Sequence, residues 1–128
     1  MECALKAVMH ALIIEDNSLI GVLLEDELRE IGYDSFDLVQ REDEAVVAAA
    51  ARCPDLITAD DRLIEGSGIS AVKRICENLV IPVVLIVGSP QGAPLPFAAV
   101  VAKPFERSAL LAAIGEAVLL ARRHSSRL

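Results

Sequence analysis

Three short apolar segments of the chain end abruptly in charged residues. A run this short, bounded by charge, is typical of a buried strand that emerges at the edge of a sheet. The three are Val8–Ile14 before Glu15 and Asp16, Leu56–Ala59 before Asp60 and Asp61, and Ala99–Ala102 before Lys103. The fold must therefore carry charge at three of its strand ends.

The rest of the sequence alternates strand and helix patterns. Residues 35–39 and the β-branched run 83–87 predict two further strands. Apolar residues at helical spacing predict helices over 18–31, 42–52, 70–78 and 108–123. Ser18 is the predicted cap of the first helix, and Gly32 lies just past its end. Residues 89–96 hold three prolines and one glycine, so they predict a loop.

Strands that alternate with helices predict a parallel sheet covered on both faces. The length of 128 residues, 54% of them apolar, predicts one α/β domain over residues 1–128, with 124–128 as a flexible tail. Five such units fit a flavodoxin-like, doubly wound sheet with strand order 2-1-3-4-5. Its reactive site is expected beyond the carboxyl ends of the strands, which gathers Glu15, Asp16, Asp60 and Lys103 into one crevice.

Composition excludes several classes of function. The net charge of −7, from 19 acidic and 12 basic residues, argues against direct binding of nucleic acid or anionic lipid. No apolar run is long enough to span a membrane, and the first seven residues do not form a signal peptide. The three cysteines form no CxxC pair, so neither a disulfide framework nor a zinc site is expected. A cytoplasmic protein is predicted.

The predicted crevice has the chemistry of a magnesium site. Three carboxylates repel one another unless a cation joins them, and oxygen ligands suit Mg2+. Lys103 adds a positive charge that can pair with Asp60 or with a phosphoryl group. Taken singly, an acidic pair after a strand can be a solvated loop, and Lys-Pro can be only a turn. The combination at three strand ends favours the functional interpretation.

Three segments resemble signatures of the receiver domain of two-component response regulators, in the same order. They are LIIEDN at 12–17, PDLITAD at 54–60 and AKPF at 102–105. The resemblance covers nearly the whole chain. It implies a signalling domain that takes a phosphoryl group from a histidine kinase or phosphotransfer protein and passes the signal to a downstream protein. A domain of this kind is not an enzyme with a small-molecule substrate.

The resemblance also implies a role for each site residue. Asp60 would be the phosphoacceptor and a metal ligand, Asp16 a direct Mg2+ ligand, and Glu15 a ligand acting through water. The backbone carbonyl of Arg62 would complete the protein's share of the metal shell. Lys103 would contact the phosphoryl oxygens, and its bond to the following proline is commonly cis in the family.

The chain departs from the family pattern where a receiver transmits its signal. Val87 stands at the position of the usual Thr or Ser hydroxyl, and Val100 at that of the usual aromatic switch residue. Ser89 is a candidate substitute for the hydroxyl. The segment from Val87 to Lys103 is short and rich in proline, so the fourth helix is predicted to be shortened or absent. The run LIEGSGISAV at 63–72 resembles receivers of general-stress-response regulators.

These departures leave an alternative function open, a receiver-like interaction module that works without phosphorylation. A Mg2+-dependent hydrolase of similar topology is disfavoured, because Arg62 stands where its second acid is expected. On the last helix, Leu119 and Leu120 lie off the packing face. They predict either an interface, such as that of a homodimer, or scattered apolar surface.

Overall fold

Five parallel strands form one sheet in the order β2-β1-β3-β4-β5. The structure, a computed structural model, describes residues 8–63, 66–88 and 95–125. Its elements are β1 (His10–Ile14), α1 (Ser18–Ile31), β2 (Ser35–Val39), α2 (Glu42–Ala51), β3 (Leu56–Asp60), α3 (Gly68–Ile75), β4 (Val83–Val87), β5 (Ala98–Ala102) and α4 (Arg107–Ser125). This architecture confirms the predicted fold class and strand order.

Side chains alternate between the two faces of the sheet and form two apolar layers. From β1, Leu12 and Ile14 pack against residues of α2 and α3. Ala11 and Ile13 point the other way, into the layer formed with α1 and α4. Both faces are therefore covered by helices, which explains why the central strands contain almost only apolar residues. None of the helices described is long and apolar enough to cross a membrane.

The boundaries of several elements differ from the predicted ones. β3 extends to Asp60, so this residue is the last of its strand and not the first of the loop. The cap of α1 is Asn17, whose side chain accepts hydrogen bonds from the amides of Leu19 and Ile20 at 3.0 and 3.2 Å. The assignment of the cap to Ser18 was wrong by one residue. α4 includes His124, which had been assigned to the tail.

The connection from β4 to β5 has no helix in its described residues, 88 and 95–97. β4 nonetheless pairs with β5 along its whole length, from Val83 opposite Ala98 to Val87 opposite Ala102. The described chain has four helices, and the last of them, α4, follows β5. The predicted shortening or loss of the family's fourth helix, between the fourth and fifth strands, fits the structure. Ser89, the suggested substitute hydroxyl, lies outside the described residues.

Candidate functional site

The charged residues predicted to meet at the strand ends do so. Asp60 ends β3, Glu15 directly follows β1, and Lys103 directly follows β5. The Nζ atom of Lys103 lies 2.9 Å from Asp60 Oδ2 and 3.9 Å from Glu15 Oε1. Backbone hydrogen bonds hold these residues at the sheet edge, since the Glu15 amide donates to Val39 and the Lys103 amide to Val87. The site is thus built on extensions of rigid strands.

Three carboxylates in this crevice are placed to share a cation. Glu15, Asp16 and Asp60 each offer one oxygen atom, and these atoms lie within 4.8 Å of one another. Glu15 is 1% exposed, and its Oε1 atom has no hydrogen-bond partner among the described residues. A buried anionic oxygen without a partner is costly, and a hard divalent cation would satisfy it. The donor set fits Mg2+.

Arg62 lies at the edge of this cluster. Its backbone amide donates a hydrogen bond to Asp60 Oδ1 at 3.2 Å. This hydrogen bond places the backbone of Arg62 beside Asp60. The ligand role implied for its carbonyl stays a prediction.

The electrostatics of the crevice shift the pKa values of Asp60 and Glu15 in opposite directions. Burial raises the pKa of Asp60, but the hydrogen bonds from Lys103 and the Arg62 amide outweigh it, so the net shift is downward. Burial raises the pKa of Glu15 to about 7, partly offset by the Asn17 amide and reinforced by the charge of Asp60. Asp60 is therefore ionised at neutral pH. Glu15 holds a proton part of the time when no cation is present.

The two valines that depart from the family pattern are both part of the sheet. Val87 is the last residue of β4, 4% exposed, and packs in the layer formed with α2 and α3. Val100 lies on β5 and is partly buried against the same layer. Neither can donate a hydrogen bond to a phosphoryl group. The peptide bond between Lys103 and Pro104 is cis, as the resemblance implied.

Several known proteins similar to this chain are response regulators or contain a receiver domain. No protein-family profile matches the chain. The receiver domain of the PhyR response regulator from Erythrobacter litoralis, a solution NMR structure, is 33% identical, with a TM-score of 0.77 over 88% of this chain and 91% of that one. The chain belongs to the receiver-domain family of response regulators. Receivers are signal-transduction domains, and the general-stress likeness noted above agrees with a further neighbour of this chain, a structure of the PhyR stress response regulator.

Two further relatives extend this assignment. The transcriptional regulatory protein PdtaR from Mycobacterium tuberculosis is 34% identical over 115 residues, which cover 85% of this chain and 56% of that protein. The receiver domain of the sensor histidine kinase PA1611 from Pseudomonas aeruginosa is 27% identical, with a TM-score of 0.71 over 85% of this chain and 99% of that one. That structure contains a magnesium ion in its active site cleft.

The chain spans only part of its curated relatives. It covers about half of PdtaR and 22% of a protein-glutamate methylesterase from Archaeoglobus fulgidus, to which it is 33% identical over 78 residues. The chain therefore matches only part of the length of either protein.

The receiver has two polar networks that the sequence interpretation missed. Glu42, at the start of α2, accepts hydrogen bonds from residues of the loop and helix that follow Asp60. His10 has both ring nitrogens within hydrogen-bond distance of other side chains, since Nδ1 lies 2.8 Å from Ser35 Oγ and Nε2 lies 3.0 Å from Asp37 Oδ2. These partners are 25 to 28 residues away in the sequence, so no local pattern indicates them.

A groove of about 830 Å3 opens beside Lys103. Pro104 and Phe105 line one side of it, and α1 lines the other with both apolar and charged residues: Ile20, Leu23, Leu24, Asp26, Glu27, Arg29 and Glu30. Leu23 is 55% exposed. On α4, Leu119 is exposed and Leu120 is half-buried, so only the first of the two noted leucines is strongly accessible. Homodimerisation through them stays a prediction.

Proposed function

We propose that this receiver accepts a phosphoryl group on Asp60 from a histidine kinase or phosphotransfer protein, in a Mg2+-dependent reaction in the cytoplasm. The observation that carries the proposal is the ion pair of Lys103 with Asp60 beside two further carboxylates. An ionised nucleophile, a fixed cation and a set of oxygen ligands are what phosphoryl transfer to a carboxylate needs.

Each residue has a defined part in the proposed transfer. A carboxylate oxygen of Asp60 forms the new bond to phosphorus as the bond from phosphorus to the donor's imidazole nitrogen breaks. The electron pair of that bond stays on the imidazole. Lys103, released from Asp60, balances charge on the transferred oxygens. Glu15, Asp16, Asp60 and the Arg62 carbonyl would hold Mg2+, which supplies further charge neutralisation.

The test is covalent labelling with Mg2+ and a small acyl phosphate donor, followed by intact-mass analysis. The wild type should gain one phosphoryl group, and Asp60→Asn should gain none. Asp61→Asn is the matched control, because it removes the same charge from the next residue. An unlabelled wild type, or equal labelling of Asp60→Asn, would contradict the proposal.

The groove along α1 supports docking of the donor protein next to Lys103. Leu19, Val22 and Leu23 on α1 are 49% to 68% exposed, and Leu23 also lines the groove. A protein donor must bring its phosphohistidine to Asp60, so a contact surface here is well placed. Leu23→Asp should slow labelling by a donor protein that labels the wild type and leave labelling by a small acyl phosphate unchanged.

A second candidate function is a receiver-like interaction module that does not depend on phosphorylation. Val87 and Val100 favour it, because neither position carries the group that usually responds to phosphate. In that case binding of a downstream protein would be the same for the wild type and Asp60→Asn. A large loss of binding in Asp60→Asn would exclude this candidate.

A further inference from the structure

Glu42 connects α2 to the segment that follows the phosphoacceptor. Its Oε1 atom accepts a hydrogen bond from the Ser67 amide at 3.1 Å. Its Oε2 atom accepts one from the Ser70 hydroxyl at 2.7 Å and one from Arg74 Nη1 at 3.0 Å. The Glu42 side chain is 17% exposed. One carboxylate thus ties together the end of the loop and the first two turns of α3.

The loop is packed closely against this carboxylate. Gly66 has a φ of +86°, and a Cβ atom built on it would lie 2.5 Å from Glu42 Oε1. A side chain at this position would therefore displace Glu42 or the loop. The Ser67 hydroxyl, next along the chain, caps α3 by accepting from the Ser70 amide at 2.9 Å. Two consecutive residues, Gly66 and Ser67, thus lie close to Glu42.

The same segment is in direct contact with Asp60. A Cβ atom on Gly68 would lie 1.9 Å from the carbonyl oxygen of Asp60, so the first residue of α3 touches the phosphoacceptor's backbone. The other end of the loop is held by the hydrogen bond from the Arg62 amide to Asp60. Among the described residues on the two sides of this loop, Arg62 and Gly68 are thus held at Asp60, and Gly66 and Ser67 are held at Glu42.

We infer that Glu42 is a positioning residue, which holds the loop after Asp60 so that the Arg62 carbonyl stays in place for Mg2+. The inference rests on the proposed function, because it concerns the metal shell of the phosphoacceptor. It goes beyond that function, since Glu42 does not itself touch the cluster of Glu15, Asp16 and Asp60 that would hold the ion.

The competing explanation is that Glu42 only stabilises its own helix. It is one of three acids in the first turn of α2, where negative charge interacts favourably with the helix dipole. Glu44 separates the two explanations. It lies in the same turn, and the hydrogen bond recorded for its side chain is from the Gln40 amide, at 3.2 Å, away from the loop. Glu42→Ala and Glu44→Ala therefore remove the same group from the same helix end.

The experiment measures Mg2+ affinity by titration calorimetry, thermal unfolding, and amide hydrogen exchange of residues 61–67 in the metal-free protein. Loss of a supporting contact outside the metal ligands weakens metal binding about 10-fold or more when that contact is direct. For the more distant Glu42, we expect Glu42→Ala to raise the Kd for Mg2+ about 3- to 10-fold and to speed exchange in the loop. Glu42→Gln, which keeps one acceptor oxygen for the Ser67 amide, should recover part of both losses.

Glu44→Ala should change the Kd for Mg2+ less than about twofold, and it should change the melting temperature only slightly. The inference is overturned if Glu42→Ala binds Mg2+ like the wild type, or if Glu44→Ala weakens binding as much. If Glu42→Ala does not fold, Glu42→Gln decides the same comparison. A wild type that binds no Mg2+ would instead contradict the proposed function. In that case, amide hydrogen exchange of the loop at the same rate in Glu42→Ala and in the wild type would by itself refute the holding role.

Discussion

Lys103 Nζ lies 2.9 Å from Asp60 Oδ2, and this contact joins the end of β5 to the end of β3 across the intervening strand β4. The Asp60 side chain is 8% exposed and that of Lys103 is 30% exposed. The pair is therefore partly desolvated, and removal of the lysine would leave a nearly buried carboxylate beside two others.

Lys103→Met should lower both stability and phosphorylation. Without Lys103, Asp60 keeps the hydrogen bond from the Arg62 amide but loses the positive charge that offsets its burial, and we expect a loss of about 1–3 kcal/mol in the free energy of unfolding without Mg2+. Labelling by a small acyl phosphate should fall about 10-fold or more, because Lys103 no longer neutralises the negative charge of the transferred oxygens. Denaturant unfolding and intact-mass kinetics measure the two effects. The control is Lys73→Met, an exposed lysine of α3, and an equal loss there would contradict the assignment.

Glu15→Gln should stabilise the metal-free protein at alkaline pH. The pKa of Glu15 is raised from 4.5 to about 7, so the folded state binds the proton more tightly than the unfolded state. The wild type therefore gains stability as the pH falls from above 7 towards 4.5. At pH 8, where the buried carboxylate is ionised, we expect Glu15→Gln to be about 1–2 kcal/mol more stable than the wild type.

This advantage should shrink as the pH falls below 7 and largely disappear near pH 4, where the unfolded chain also carries the proton. Urea unfolding of both proteins at the two pH values provides the measurement, and Asp16→Asn is a matched control from the more exposed neighbour. A stability difference that stays constant with pH would show that the charge of Glu15 is not its cause. The same variant should bind Mg2+ more weakly, because a ligand carboxylate is lost.

The sequence predicts the sheet and the crevice because both follow from local patterns. Apolar runs that end in acids identify the strands, and parallel topology then requires that Glu15, Asp60 and Lys103 meet. The contacts of Glu42 and His10 could not be predicted in this way. They depend on which residues face each other across different elements, such as His10 opposite Ser35 in the register of β1 and β2. Such pairing is fixed by the complete fold and leaves no periodic signal.

Asn17→Ala should destabilise the receiver more than Ser18→Ala. Asn17 accepts two amide hydrogen bonds at the start of α1, and both residue types are common caps, so the sequence alone misplaced the cap by one position. Loss of an Asn cap costs about 1 kcal/mol, whereas a substitution that removes no cap is expected to cost less than about 0.5 kcal/mol. Chemical denaturation of the two variants measures the difference. Equal losses would contradict the assignment of Asn17 as the cap of α1.

Val87→Thr should strengthen the response of the protein to a phosphoryl group. Val87 ends β4 next to the site and is 4% exposed, so the new hydroxyl should destabilise the free protein by about 1–2 kcal/mol. With Mg2+ and beryllofluoride, a mimic of the phosphoryl group, the hydroxyl gains an anionic acceptor worth about 1.5–3 kcal/mol. The rise in melting temperature on adding the mimic should therefore be larger in Val87→Thr than in the wild type.

Val83→Thr is the control for this comparison, because Val83 packs in the same layer at the far end of β4 and is fully buried. It should lose stability in the same way but respond to the mimic like the wild type. If Val87→Thr gains no more than Val83→Thr, the end of β4 does not face the phosphoryl group, and the missing hydroxyl cannot explain an atypical switch. A larger gain in Val87→Thr would mean that the site accepts phosphate fully and lacks only the hydroxyl that couples it to β4.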